Sequence, residues 1–206
     1  MTTLELHGIY HELKFWRNFV KTERFLNGWV AKVKTPELNN EIAEFVKSVN
    51  HDKVLDVGSG VCSLLNGLVE VDPCDPLGDL YSLVFDYKAH KIKKPLAIPA
   101  EELIFTEVYD IVHISNALDH SQNPLKALEK LMQAVKPGGY LIVQGFVNEA
   151  LHEGWAGFHQ WNIDIDEAGL MHVASVESKT IVAWPPFKFK VMDVNDRKWF
   201  YWIIKK

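Results

Sequence analysis

Apolar residues recur at helical spacing through the first fifty positions. In "ELKFWRNFVKTERFLNGWVAKV", Leu13, Trp16, Val20, Phe25 and Trp29 follow one another at three- to five-residue steps, with Lys, Arg and Glu between them. That is the pattern of helix with one buried face. The next run, "TPELNNEIAEFVKSV", sets Ile42, Phe45, Val46 and Val49 on a common face. Thr35 is its expected N-cap and Pro36 its first helical residue. A helical cap is therefore predicted over residues 1–50.

After residue 52 the period changes. "KVLDVG" is a short continuous apolar run, as expected of a strand buried on both faces, and it leads through a glycine pair into "VCSLL", read as the start of a helix. "LVEVDPCDP" predicts a second strand. "YDIVHIS" (residues 109–115), the helical "NPLKALEKLMQAV", the turn "KPGG" and the strand "YLIVQGF" (residues 140–146) continue the alternation. Strands alternating with helical segments imply βαβ units and a parallel sheet. The tail differs: "SKTIVAW", the breaker "PP", then "FKFKVMDV" and "KWFYWII" read as antiparallel closing strands. No repeat, low-complexity tract or linker interrupts the chain. The expectation is one α/β domain over residues 1–206, with the cap over 1–50 and the core over 51–206.

Composition agrees with that picture. The chain has 206 residues, 48% hydrophobic and 24% charged, enough for one sizeable core. A formal charge of -5 gives no overall field for nucleic acid or an anionic membrane. Neither partner is expected, and the basic run "KAHKIKK" reads as a solvated face. Cys62 and Cys74 do not make a disulfide framework. No C-x-x-C is present and the one H-x-x-x-H, His7 to His11, has no further ligand signature beside it, so no metal site is expected either. His7, His11, Glu5 and Glu12 break up the N-terminal apolar pattern, so no signal peptide is read there. No apolar run approaches the ~18 residues of a membrane span. The expected compartment is the cytoplasm.

Candidate chemistry begins at the glycine pair. In open parallel sheets, ligands gather at the carboxyl ends of the strands. The turn after the first strand needs backbone freedom and close approach, which Gly58 and Gly60 supply. Asp56 can fix this turn or reach a cationic group. At the end of the second strand, Asp72 and Asp75 are both candidates to take the two hydroxyls of a ribose. The dinucleotide fingerprint G-x-G-x-x-G is not met, because Ser63 holds the last glycine position. That counts against a Rossmann oxidoreductase. A tightly packed strand-to-helix turn with no ligand remains the alternative.

"VLDVGSG", an acid near the end of the second strand, "YDIVHISNALDH" and "LKALEKLMQAVKPGGYLIV", in that order, resemble the class I S-adenosylmethionine-dependent methyltransferases. More narrowly they resemble the small, Methyltransf_11-like members, over roughly residues 53–146. The resemblance implies a Rossmann-like sandwich, with a central, mostly parallel sheet and antiparallel C-terminal strands. It implies S-adenosyl-L-methionine as cofactor and S-adenosyl-L-homocysteine as product. Asp56, Gly58, Ser59 and Gly60 would cradle the methionine part; where relatives have a third glycine, this chain has Cys62. Asp75, in "CDPLGDLY", is favoured over Asp72 at the ribose, with Pro76 and Leu77 flanking the adenosine. Relatives often have Asp-Ala where this chain has Pro99-Ala100 followed by Glu101. The adenine is therefore expected on main-chain groups near Ala100 and Glu101. Ser115, Asn116 and Ala117 are expected along the methionine side.

Asp119 and His120 follow at the acceptor side, where a histidine can take a hydroxyl proton during methyl transfer. The alternative is that both cap the turn before the next helix. A second cluster, "GWAGFHQWNID" over residues 154–164, lies outside the periodic pattern. Its Trp155, Phe158, His159, Gln160 and Trp161 suit an acceptor wall for a sugar or polyol-like small molecule, or else pack a long loop onto the sheet. His159 is the second candidate for proton transfer. Phe15 and Trp16 either close over the cofactor or belong to the helical core. A non-catalytic cofactor-binding module of the same fold is the competing function. The oligomeric state is left open.

Overall fold

The computed structural model describes residues 3–31 and 38–206. Helix α1 (Thr3–Phe19) is followed by one π-helical turn, Phe25–Val30, rather than by a continuation of the same helix. The expected face holds: Trp16, Val20, Phe25 and Trp29 are buried together. Thr35 and Pro36 lie outside the described residues. Helix α2 (Asn40–Ser48) is capped instead by Asn39, whose side chain accepts from the backbone N–H of Glu41 at 2.8 Å and of Ile42 at 3.4 Å. An Asx cap of this kind satisfies orphan donors of the first turn.

The core strands follow as β1 (Val54–Val57), β2 (Asp72–Cys74), β3 (Tyr109–Ser115) and β4 (Val135–Phe146). Helix α3 (Tyr87–His90) lies between β2 and β3, and α4 (Pro124–Ala134) between β3 and β4. After a short α5 (Glu149–His152) come β5 (Asn162–Ile165), β6 (Met171–Ala174), β7 (Lys179–Val182), β8 (Lys188–Val194) and β9 (Arg197–Lys205). The main sheet has the order β2-β1-β3-β4-β9-β8: its first four strands are parallel, β9 is antiparallel to β4, and β8 is antiparallel to β9. Both of its faces are covered, which is why the core strands read as continuous apolar runs. Leu55, Val57, Val112, Ile114, Leu141 and Val143 face one cluster. Val54, Ile111 and Ile142 face the other, under α2.

Three expectations are corrected. The stretch after Gly60 runs as turns to Glu70, with no helix. Ser63 explains part of this: its Oγ accepts from the Leu65 N–H at 3.0 Å, so the side chain takes a donor that a helix would use. Beyond β2, the expected alternation of strands and helices is interrupted: the segment before Ala100 contributes only a single bridge, between Cys74 and Leu96. Pro95 and Pro99 on either side of it cannot donate to a ladder. Finally, β7, read as a closing strand, belongs to a separate antiparallel sheet, β5-β6-β7. Ile163, Ile165, Met171, Val173 and Val182 of that sheet pack onto the main core. The "KPGG" segment interrupts the β3–β4 register between Tyr109 and Ile111, and Tyr140 resumes it.

Candidate active site

A cavity of about 710 Å³ opens beside the carboxyl ends of β1, β2 and β3, bordered by the N-terminal helix and the loop before β5. The glycine turn forms its floor. Gly58 and Gly60 have φ of 67° and 61°, left-handed values that favour glycine. A β-carbon on Gly58 would stand 2.3 Å from Cβ of Ala117, and one on Gly60 would stand 2.0 Å from Cζ2 of Trp16. The first glycine therefore lets β1 approach β3, and the second seats an indole of the cap. Trp16 is buried against Phe25, Trp29 and Tyr81, whereas Phe15 is exposed.

Of the expected methionine cradle, only Gly58 lines the cavity. Asp56 is turned beneath the turn. It accepts from Ser63 Oγ at 2.5 Å and meets His113 Nδ1 at 2.6 Å, while Gln144 Nε2 lies 2.8 Å from His113 Nε2. With the Gln144 amide donating to Nε2, Nδ1 is left to donate to Asp56, a buried chain of polar groups under the site. Ser59 is buried and ties the turn to β2 through its N–H, which donates to the Cys74 carbonyl at 3.1 Å. Cys62 is buried among the cap aromatics, its Sγ 3.9 Å from the Trp29 carbonyl oxygen, so it has no place in the cavity.

Of the two acids at the second strand, Asp75 faces the cavity and Asp72 does not. Asp72 pairs with Lys93 and accepts from the Tyr109 hydroxyl at 3.2 Å, away from the cavity. Asp75 lines the cavity and is 6% exposed. Its oxygens accept from the Leu77 N–H at 2.9 Å and the Gly60 N–H at 3.0 Å. Burial raises its pKa to about 6, although those two N–H groups oppose the rise; the charge of Glu12 adds to it. Pro76, Leu77, Ala100 and Glu101 line the same cavity, the last two from a 3-10 turn. Glu101 also accepts from the Asn123 N–H at 3.1 Å. The charged lining is Glu12, Asp75, Glu101 and Glu102 against Lys126. Such a wall attracts a cationic ligand and repels a pyrophosphate.

Along the expected methionine side, Ala117 alone reaches the cavity. Ser115 Oγ is buried without a hydrogen-bond partner among the described residues. Asn116, at φ 48°, accepts from the Phe146 N–H at 3.2 Å and so braces β3 against β4.

At the other end of the cavity, a 3-10 turn, Leu118–His120, meets the loop before β5. Asp119 Oδ2 lies 2.7 Å from His159 Nδ1, and His120 Nε2 lies 3.1 Å from that same nitrogen. His120 Nδ1 lies 3.7 Å from Glu12 Oε1. Burial alone would lower the His159 pKa, but its hydrogen bond to Asp119 and that carboxylate's charge hold it above the ordinary value. Asp119 and His120 do not cap α4; Asn123 does, accepting from the Lys126 N–H at 3.0 Å. The loop is pinned by the Gln160 N–H donating to the Asp119 carbonyl at 3.1 Å and Trp161 Nε1 donating to the Ser121 carbonyl at 2.7 Å. Its two expected roles are thus divided. Phe158 and Gln160 line the cavity, as His120 does from its own turn, whereas Trp161 anchors the loop and Trp155 and His159 lie outside the lining.

Glu12 and Tyr81 also line the cavity and went unassigned in the sequence reading. Glu12 did leave a trace there: it stands three residues after Ile9 and four before Trp16, a carboxylate on the apolar face of its helix.

Comparison with known proteins agrees with this architecture. Residues 31–180 match the family model of a methyltransferase domain. The chain is 27% identical over 124 residues to the malonyl-[acyl-carrier protein] O-methyltransferase of Haemophilus ducreyi, covering 53% of this chain and 48% of that protein. It is 23% identical over 189 residues to a hybrid PKS-NRPS synthetase of Penicillium crustosum, covering 75% of this chain and 5% of the synthetase. The chain thus spans less than half the length of these curated relatives. Among solved structures, a Pyrococcus horikoshii protein superposes with a TM-score of 0.59 at 16% identity, covering 96% of this chain and 99% of that one. The N-methyltransferase NodS of Bradyrhizobium japonicum, in complex with S-adenosyl-L-homocysteine, superposes with a TM-score of 0.55 at 8% identity, covering 95% and 98%. The chain belongs to the class I S-adenosylmethionine-dependent methyltransferases. Among its described residues, no helix is long and apolar enough to cross a membrane.

Proposed function

We propose that the protein methylates a hydroxyl of a small polar acceptor, of the sugar or polyol type, using S-adenosylmethionine as donor. The observation that supports this most is that one cavity joins Asp75 to the His120 end of the Asp119–His120–His159 cluster. Residues 1–206 are treated as a single domain in this reading, because the cap helix supplies Ile9 and Glu12 to the cavity.

The donor, when bound, supplies a methyl group activated on a sulfonium sulfur. The residues present suit it. Beyond the bonds from Gly60 and Leu77 and the one with Tyr81, Asp75 keeps a lone pair for a ribose hydroxyl. The 3-10 turn at Ala100 and Glu101 offers main-chain groups and an apolar edge to the adenine. The carboxylate-rich lining suits a cation.

At the acceptor end, Phe158 offers an aromatic face, and Gln160 offers an amide for hydroxyl groups. His120 is read as the group that takes the proton of the attacking hydroxyl, with the His159 ring beside it held by Asp119. Positioning supplies much of the remaining rate, since an in-line displacement depends on alignment of the reacting atoms. A non-catalytic module would share the Asp75 end and give the histidine cluster no role. Labelled S-adenosylmethionine incubated with panels of polyols, free sugars and phenols tests the proposal, with label expected in a polyol or sugar. Binding of S-adenosyl-L-homocysteine without turnover on any panel would support the module instead.

A further inference from the structure

We propose that Asp119, His120 and His159 form a binding site for one divalent transition-metal ion of the zinc or cobalt kind, open to the cavity at its acceptor end. Three ligand-type atoms from two segments of the chain converge there. Asp119 Oδ2, His120 Nε2 and His159 Nδ1 lie 2.7, 3.1 and 3.7 Å from one another. Ligands about 2.1 Å from an ion and about 90–110° apart are separated by roughly 3.0–3.4 Å, the middle of that spread. A small adjustment of one ring would close the set around an ion.

Proton accounting points the same way. His159 Nδ1 faces both the Asp119 carboxylate and His120 Nε2. A ring nitrogen carries at most one proton, so a single N–H would have to be shared between the two neighbours. If the proton sits on His120 instead, the carboxylate meets a bare lone pair at 2.7 Å. One cation satisfies all three lone pairs together.

The surroundings have the form of a reactive site. Three protein ligands with a remaining position open to a cavity characterise catalytic rather than structural zinc. His120 and the neighbouring Gln160 line the cavity. Behind His120, its other ring nitrogen lies 3.7 Å from Glu12 Oε1, in the place where a carboxylate commonly orients a metal-bound imidazole. The backbone bond from Gln160 to the Asp119 carbonyl and the Trp161 bond to Ser121 hold the two ligand-bearing segments together. No spacing in the sequence signals the set, because His159 stands 40 residues from Asp119.

The role of the ion rests on the methyltransferase reading; its binding does not. A hydroxyl coordinated to such an ion loses its proton more readily. With its Nε2 on the ion, His120 is then a ligand and not the base: the proton passes to Glu12, which lines the same cavity, the oxygen lone pair forms the bond to the methyl carbon, and the carbon–sulfur pair returns to sulfur.

The test titrates the chelator-stripped full chain with Co²⁺ and follows the visible d–d bands, then displaces Co²⁺ with Zn²⁺. One equivalent of Co²⁺ is expected. His120→Ala and His159→Ala should each weaken it by more than about 100-fold, and Glu12→Gln by roughly 10-fold. His172→Ala, which removes a ring paired with Asp166 in the other sheet, should leave it unchanged. Absence of d–d bands in the parent, or parental affinity in both folded histidine variants, overturns the site, and the parent titration decides even if a variant unfolds. S-adenosyl-L-homocysteine binding is measured separately on the same samples. Retained cofactor binding without Co²⁺ binding would sink the ion site and leave the methyltransferase reading standing.

Discussion

Replacing Asp75 by alanine should weaken S-adenosyl-L-homocysteine while leaving the protein folded, and the structure says why the two effects separate. In the free protein this carboxylate is buried, and burial raises its pKa from 3.8 to about 6. A shift of that size corresponds to about 3 kcal/mol of preference for the neutral acid. Alanine relieves that cost but strands the Gly60 and Leu77 N–H groups, which lose their acceptor. Each stranded donor costs about 1–3 kcal/mol, so the change in folding stability is the difference of two similar terms. Binding has no such compensation. A hydrogen bond from a ribose hydroxyl to a charged acceptor contributes about 1.5–3 kcal/mol. A net loss of about 2 kcal/mol is therefore expected, roughly a 30-fold rise in Kd. Isothermal titration of parent and variant, with circular dichroism to confirm folding, reads it directly. Asp72→Ala serves as control and should bind as the parent does, because Asp72 lies outside the cavity and pairs with Lys93. Equal affinity in folded Asp75→Ala would remove Asp75 from the ribose site. The same pKa sets a pH dependence of opposite sign for folding and for binding. Because the folded value lies above the ordinary one, the buried charge costs stability above about pH 6, and the cost is relieved as pH falls towards 4. Cofactor affinity should instead fall as pH drops through about 6, when the acceptor is protonated.

Three further outcomes are expected. Gly58→Ala should cost about 2 kcal/mol or more of stability in urea titrations, because its φ is 67° and its β-carbon would meet Ala117. Adding Ala117→Gly should recover part of the loss, and additive effects would show that the two do not touch. His120→Ala should slow methyl transfer by roughly 10²- to 10⁴-fold with cofactor affinity unchanged; retention of more than about a tenth of the rate would make it a turn residue. The part of the tryptophan fluorescence transition that is lost in Trp29→Phe, and so reports the cap, should coincide with unfolding followed by far-ultraviolet circular dichroism. Two separated transitions would divide the chain that we treat as one domain.

Local pattern was enough to place much of the architecture. Tyr109–Ser115 was legible as a strand because its residues are apolar toward both covered faces of a parallel sheet. The helix from Pro124 was legible because its apolar residues recur on one side. The positions of Asp75 and Gly58 beside the cavity were legible because strand ends and left-handed turns restrict which residues can stand there. Tertiary structure alone decided the rest. The stretch after Gly60 contains residues able to form a helix, yet Ser63 binds across to Asp56, 7 residues earlier in sequence, and the helix is not made. Strand β7 has the pattern of any edge strand; only the β5–β6 hairpin beside it determines which sheet it joins. Asp56 could have faced the ligand or the core, and His113 on the neighbouring strand draws it into the core. The histidine cluster depends on the same kind of long-range contact. Asp119, His159 and Glu12 come from a turn, a loop without periodicity and the cap helix, and only chain folding brings their side chains together.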